Sequence, residues 1–465
     1  MDELSLYILT SNCAQNLIDV DLVAAHFFDV LPSSTPAPEL IVLSLQELAP
    51  IAYSFLGGSY LLPYFNAFIK AVKQATAKQW NESYVNLVKD HIGMTGLMVF
   101  ARSDIANRIS WIDTAHVGVG LQEMGNKGAV GARLGYVVEG RQSQEVDLTF
   151  VAAHLAPMEN GLAQRNLDWQ SIVERLVFSH GQTLPREVEG DNRSSDESTS
   201  LLNEHAHSSS HHAQGSLYNL SARNSYLFLA GDLNYRTSDT SPRKEDILRF
   251  PKRNADPSSP SHYSHLLKED QLMREMRAGR AFHGLSEAPI DFPPTYKFSD
   301  AAQQAARQAL ENGDEDTEWK WSTHRWPSWC DRILYLDNTA ASSDTSEAAA
   351  RRTIKPVVYN ALPLFPHSDH RPVALAVSVP LRPTAASVEA DHMVGDANGT
   401  SKPEVLDPFA IDPTWRSRRD AARRKEIVVG VLAYLGLTWE GNGMVLASVV
   451  GLLGAWVVLR SIWGV

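Results

Sequence analysis

Cysteine is nearly absent: only Cys13 and Cys330 occur in 465 residues. Two cannot build a disulfide framework or a cysteine-based zinc site, so the catalytic part reads as a protein of a reducing compartment. Positive charge is not in excess either. Lys and Arg number 42 against 54 Asp and Glu, a formal net charge of −12. That balance disfavours a broad nucleic-acid-binding surface. The first residues, MDELSLYILTSN, lack a basic n-region and hold only a short apolar run. No signal peptide is expected there. Neither an internal repeat nor a Walker-type phosphate loop is present.

What is there suffices for a core. The chain is 44% hydrophobic and 9% aromatic, which excludes wholesale disorder, collagen and coiled coil. Short apolar, β-branched runs recur at 4–9, 40–45, 96–101, 146–154, 225–232, 331–336 and 373–381. Their length and composition predict buried strands. Helical spacing over 57–90 and 161–178 makes the class α/β. Residues 186–216, with DNRSSDESTS and a His-rich stretch, read as a disordered insertion. Residues 300–317 and 338–352 read as exposed loops, and 383–413 as a flexible linker.

Six stretches place polar residues at the end of an apolar run, where α/β proteins assemble sites. LSLQEL ends in Gln46 and Glu47, either a hard-cation ligand or a solvated strand end. GNKGAV puts Asn126 and Lys127 between glycines, as an anion cradle or a tight turn. VAAHLAP carries His154, a site residue or a hydrogen-bonded rim residue; Arg165-Asn166 downstream reads as helix surface. In GDLNYR, Asp232 and Asn234 alternate and so share a face of an extended chain. PSWCDRILY opens a strand with Asp331, and Cys330 beside it reads as a packed thiol. FPHSDHRPV pairs Asp369 with His370, and a carboxylate partner is the usual means of fixing an imidazole tautomer.

The ordered series QE, GNKG, HLA, GDxNYR, PTYK, WCDRIL and SDHRPV resembles the inositol polyphosphate 5-phosphatases of the endonuclease/exonuclease/phosphatase superfamily, over residues 4 to about 382. The resemblance implies a four-layer α/β sandwich of two facing mixed β-sheets flanked by helices. It implies water attack on a 5-phosphate, with Mg²⁺ held by Glu47 with Asn12 and Gln46 nearby. Asp232 would orient or deprotonate the water and Asn234 would stabilise phosphoryl oxygens. His370, held by Asp331, and His154 would contact the phosphate, with Asp369 assisting. Tyr296 and Lys297 would grip a neighbouring 4-phosphate, Asn126 and Lys127 would add to the pocket, and Arg332 would support substrate binding. Two departures stand out: HLAPM where HLAAH is common, which places Met158, and Ser11 where an aromatic often precedes the Asn. The implied substrate is phosphatidylinositol 4,5-bisphosphate. The alternatives are a nuclease or sphingomyelinase-like diesterase of the superfamily, or a non-catalytic membrane tether; no nucleic-acid partner is expected.

The last segment reads as a membrane anchor. Residues 444–459 are apolar throughout and, as a helix, would cover about 24 Å, close to a thin bilayer such as that of the endoplasmic reticulum. Residues 427–438 are too short to span alone and would lie in the interface, or form a hairpin turning at Gly441-Asn442-Gly443. Arg416, Arg418, Arg419, Arg423, Arg424 and Lys425 form a basic juxtamembrane stretch over 414–426. The expected organisation is a catalytic domain over 1–382, the linker, the basic stretch and an anchor over 427–465. It would be a tail-anchored, fungal-type enzyme of the endoplasmic reticulum membrane, its catalytic domain facing the cytosol.

Overall fold

The computed structural model describes residues 3–138, 145–178, 217, 225–312, 319–336, 353–381 and 408–463. The proposed insertion, the loop at 338–352 and most of the linker therefore lie outside the described residues.

Seven strands form where the apolar runs predicted them: β1 (Glu3–Asn12), β2 (Leu40–Gln46), β4 (Thr95–Arg102), β7 (Glu145–His154), β8 (Ser225–Asp232), β10 (Asp331–Leu336) and β12 (Val373–Pro380). Five more complete the set: β3 (Tyr84–Ile92), β5 (Ile109–Gly118), β6 (Gly128–Val137), β9 (Leu285–Glu287) and β11 (Lys355–Ala361). They make two six-stranded sheets, ordered β11-β12-β1-β2-β4-β3 and β5-β6-β7-β8-β10-β9. Each sheet has one parallel pair near its middle, β1 with β2 and β7 with β8, and is otherwise antiparallel.

The strand alternation divides the core. Leu6, Ile8, Val42 and Val99 of one sheet meet Val130, Phe150, Phe228 and Ile333 of the other. The opposite residues, Tyr7, Leu9, Ile41 and Phe100, pack under the helices Val20–His26 and Leu62–Trp80. Val151, Leu227, Leu229 and Leu334 pack beneath the helix Leu162–Arg175. Both faces of each central strand are covered, which is why those strands are apolar almost without interruption. The expected two-sheet sandwich with outer helices is the observed fold.

Three expectations change. The helical spacing read over 57–90 gives a helix only as far as Trp80, and Tyr84–Ile92 is strand β3. Residues 300–312 are not a loop but a helix, Asp300–Asn312. Its Ala and Gln residues are good helix formers, and Ala302 and Ala306 anchor it. The tail also divides differently. The basic stretch and 427–437 form one helix, Trp415–Leu437, and a second runs from Trp439 to Trp463. The break falls at Thr438, not at Gly441-Asn442-Gly443. Thr438 is extended (φ −102°, ψ 154°), and its hydroxyl accepts from the Gly441 N–H at 3.0 Å. A Cβ on Gly441 would lie 2.0 Å from the Tyr434 carbonyl oxygen, so only glycine permits this corner. The helix Trp439–Trp463 is long and apolar enough to cross a membrane, and its apolar window is entirely exposed.

The basic stretch is not a free tether. Trp415, Ala422, Glu426 and Gly430 are buried. Arg423 donates to the carbonyls of Phe55 (2.7 Å) and Leu56 (3.3 Å), and Arg418 is bound to Glu123 and Asp412. Arg416 and Arg419 instead flank the Trp415 ring.

Candidate active site

Strand register assembles the site. Asn12 pairs with Gln46 at the ends of β1 and β2, and His154 with Asp232 at the ends of β7 and β8. Asp331 opens β10 opposite Asp232. The two sheets meet here: the Asn12 amide donates to Asp232 Oδ2 at 3.0 Å.

Asp232 is the hub. It is 2% exposed. Burial alone would raise its pKa, but His154, His370 and Lys127 around it prevail and hold it well below the usual carboxylate range. Asp232 is therefore an anion at neutral pH. His154 Nε2 lies 3.3 Å from Asp232 Oδ2 and 2.5 Å from Lys127 Nζ. Burial and that ammonium lower the His154 pKa, so its imidazole is neutral and accepts from the lysine. Lys127 also lies 3.6 Å from Glu47 Oε1, which stands just beyond β2 with φ of +46°.

His370 is the opposite case. Burial acts to lower its pKa, but Asp331, Asp232 and Asp369 outweigh that and raise it to about 9. It is an imidazolium at neutral pH. Its Nδ1–H donates to Asp331 Oδ2 at 2.9 Å, and the same oxygen accepts from the Thr295 hydroxyl at 2.7 Å. That leaves Nε2–H aimed between Asp232 (4.0 Å) and Asp369 (3.9 Å). Ser368 sets the loop from behind: its hydroxyl donates to the Asn12 carbonyl at 2.6 Å and accepts from the His370 N–H.

Asn234 has φ of +58°, a left-handed conformation that Asn tolerates. Its amide donates to the Leu155 carbonyl (3.1 Å), and its Oδ1 accepts from Arg236. Lys297 is bound to Asp369 and remains partly exposed. Tyr296 is buried, its ring 4.5 Å from that of His370 and 4.4 Å from the Arg236 guanidinium. It packs as a wedge behind Lys297. Asn126 lies against Gly120, where a Cβ would meet its Oδ1 at 2.1 Å.

Three readings need correction. Arg332 does not support substrate binding. Alternation along β10 sends it to the face opposite Asp331, where it is fully buried and bonded to Asp270 and Glu287. Gln46 is not positioned as a metal ligand. Its amide accepts from Thr10 and donates to Ser44 inside the sandwich. Arg165 is not helix surface; it is buried, donates to the Ala156 and Met158 carbonyls and to Gln271, and stacks on Tyr235. Arg236, Thr295 and Ser368 carry no sequence-based role. The signal for each was its place in a motif, Arg236 in GDLNYR, Thr295 in PTYK and Ser368 in SDHRPV. Cys330 is buried, and burial pushes its thiol well above the ordinary value, as a packed thiol requires.

A divalent cation fits one side of this centre and not the other. Asp232, Asp331 and His370 bring ligand atoms within 4.8 Å of one another, but the Nδ1 of His370 is committed to Asp331 and the ring is cationic. Glu47 offers an accessible carboxylate, and Asn12 beside the anionic Asp232 a carboxamide oxygen that accepts the Ala14 N–H at 3.0 Å and has a second lone pair to give. Such an all-oxygen set suits a hard cation.

The chain resembles known proteins in sequence and in fold. The model of Endonuclease/Exonuclease/phosphatase family 2 matches residues 9–376. Type I inositol polyphosphate 5-phosphatase 13 of Arabidopsis thaliana is 31% identical over 285 residues, 60% of this chain and 22% of that protein. Inositol-1,4,5-trisphosphate 5-phosphatase 1 of Schizosaccharomyces pombe is 25% identical over 359 residues, 74% of this chain and 24% of that protein. The chain thus spans about a quarter of the length of these relatives. The fold matches the 5-phosphatase domain of SPsynaptojanin, solved with inositol (1,4)-bisphosphate and calcium ion, at a TM-score of 0.55 and 22% identity, covering 91% of this chain and 93% of that one. With a family match over residues 9–376 that holds the whole Asp232–His370 centre, the chain belongs to Endonuclease/Exonuclease/phosphatase family 2.

Proposed function

We propose that this chain is a Mg²⁺-dependent phosphoinositide 5-phosphatase that converts phosphatidylinositol 4,5-bisphosphate to the 4-phosphate at a membrane surface. The observation that carries the reading is the Asp331-held imidazolium of His370 facing the anionic Asp232, with Lys127 and Glu47 across the centre.

Glu47 with Asn12 would hold Mg²⁺, which when bound neutralises charge on the phosphoryl oxygens. Asp232 orients the attacking water. Its depressed pKa makes it a weak proton acceptor, which suffices because a loose phosphoryl-transfer transition state demands positioning more than early proton removal. His370 Nε2–H donates to a phosphoryl oxygen as charge develops there. His154, neutral and backed by Lys127, adds a second contact, and Asn234 fixes the Asp232 loop. The water oxygen bonds to phosphorus, the bond from phosphorus to the oxygen on ring carbon 5 breaks, and that oxygen leaves as the 5-hydroxyl, taking up the proton that the attacking water gives up. Lys297, partly exposed and oriented by Asp369, supplies the cation for the neighbouring 4-phosphate, with Tyr296 behind it.

The helix Trp439–Trp463 supports action at a membrane. Arg416, Arg419 and Arg424, on the exposed side of the preceding helix, would favour anionic lipid and a cytosolic placement. The short apolar run suits the endoplasmic reticulum bilayer.

Full-length protein in mixed detergent micelles tests this. Phosphate release from phosphatidylinositol 4,5-bisphosphate in Mg²⁺, abolished by EDTA and absent with the 4-phosphate, is the expected result. Cleavage of sphingomyelin instead would establish the diesterase reading.

The pH profile follows from His370. The imidazolium is required, so kcat is level near neutrality and falls about tenfold per pH unit above about 9. The folded pKa is raised above the unfolded value of about 6.5. The stabilisation it contributes is therefore complete below about 6.5 and lost as pH rises through about 9. A kcat that keeps rising through that range would refute the role.

A further inference from the structure

The loop between β5 and β6, residues 119–127, carries Lys127; it buries Met124 and packs Val119 against the core, but its tip is not held by apolar contacts. Leu121 is 72% exposed, and Gln122 and Glu123 both have positive φ. It is held instead by polar contacts from the helix Trp415–Leu437. Glu426, 1% exposed, accepts the Gly125 N–H on Oε1 at 2.7 Å and an Arg423 N–H on Oε2 at 3.0 Å. Arg418 binds Glu123, which Arg175 also faces at 3.4 Å, and Lys425 donates to the Gln122 carbonyl at 3.4 Å.

From Gly125 the connection to the centre is short. The Gly125 carbonyl accepts the Met94 N–H, and the Met94 carbonyl accepts the Leu48 N–H, one residue beyond Glu47. Gly125 is wedged on Gly93, where an added Cβ would lie 2.7 Å from the Gly93 nitrogen. The Lys127 carbonyl accepts the N–H groups of Val119 and Gly120, closing the loop. Two residues past Gly125, the Lys127 ammonium meets His154 and Glu47. Arg423, the partner of Glu426, reaches the Phe55 and Leu56 carbonyls at the end of the helix that follows Glu47. One buried carboxylate thus ties together the two segments that deliver Lys127 and Glu47. Burying a carboxylate is costly unless charge-assisted hydrogen bonds compensate, and here one comes from the active-site loop and the other from Arg423.

We propose that Glu426 is a positioning residue for the reaction. The helix leading into the apolar Trp439–Trp463 segment is then a working part of the catalytic scaffold. The proposal rests on the function given above. The test uses the full-length chain in detergent with two variants. Glu426→Gln keeps an acceptor within reach of the Gly125 N–H, whereas Glu426→Asp keeps the charge but withdraws it by one methylene.

The expected result is that Asp lowers kcat roughly tenfold on a water-soluble short-chain bisphosphate, with KM nearly constant, while Gln, which keeps the bond to Gly125 but loses the one to Arg423, falls severalfold less. Hydrogen exchange over 119–127 rises in the Asp variant and not in the Gln variant. Equal kcat in the two variants, or the reverse order, overturns the proposal, as does slowed turnover without faster exchange. If the wild-type chain hydrolyses no phosphoinositide, the functional reading fails on its own, and the exchange comparison still decides whether Glu426 clamps the loop.

Discussion

Asp232→Asn lowers kcat by roughly 10³-fold while leaving the melting temperature close to wild type. The substitution is isosteric, but the Asn12 amide and the Asn234 N–H reach different oxygens of Asp232, so the single carbonyl oxygen keeps one of these bonds and the melting temperature falls by no more than a few degrees. What disappears is a full negative charge at the centre. The water loses its orienting anion, and His370 loses one of the three carboxylates that keep it protonated. The His370 limb of the pH profile should therefore move to lower pH in this variant, a change that a purely structural lesion would not produce. Retention of more than a tenth of wild-type kcat would remove Asp232 from the mechanism.

Arg332→Leu acts on stability instead. The arginine is fully buried, and its guanidinium is the cation for Asp270 (side chain 0% exposed) and Glu287 (9%). Removing it strands two carboxylates, a change that costs about 3–5 kcal/mol. The melting temperature falls by several degrees, and removing Glu287 in the same chain restores part of the loss. Turnover per folded molecule stays at the wild-type value, because Arg332 faces away from Asp232 and His370. A specific loss of substrate affinity without loss of stability would return Arg332 to the binding site.

The strands buried on both faces were legible because few polar residues interrupt them. The edge strands β3, β9 and β11, half exposed, carry Lys, Asp, Ser and Asn that blur the pattern. In β6 the glycines hide the strand: a Cβ on Gly131 would strike Phe178. Site residues were legible where they end a central strand, as Asp232, His154 and Asp331 do. The side to which a residue points was harder. Arg332 and Asp331 are chain neighbours with opposite fates, and only sheet register separates them. The polar supports, Thr295, Ser368 and Arg236, act through loop contacts that no local spacing encodes. Hardest of all was the basic stretch. Six cations before an apolar helix read naturally as lipid-facing, yet Glu426 among them finds Gly125 from 301 positions away.

The docked helix Trp415–Leu437 also sets a distance. A free linker would let the catalytic domain sample heights above a bilayer as a random coil does. A 23-residue helix is a strut about 35 Å long, clamped to the domain along one side and turned at Thr438 into the apolar segment. With that segment in a membrane, the active site stands at one elevation and one tilt. Under the proposed function a single lipid headgroup would then have to rise to meet it, and turnover would respond to how far headgroups protrude and how curved the surface is, more than to how long the tether is.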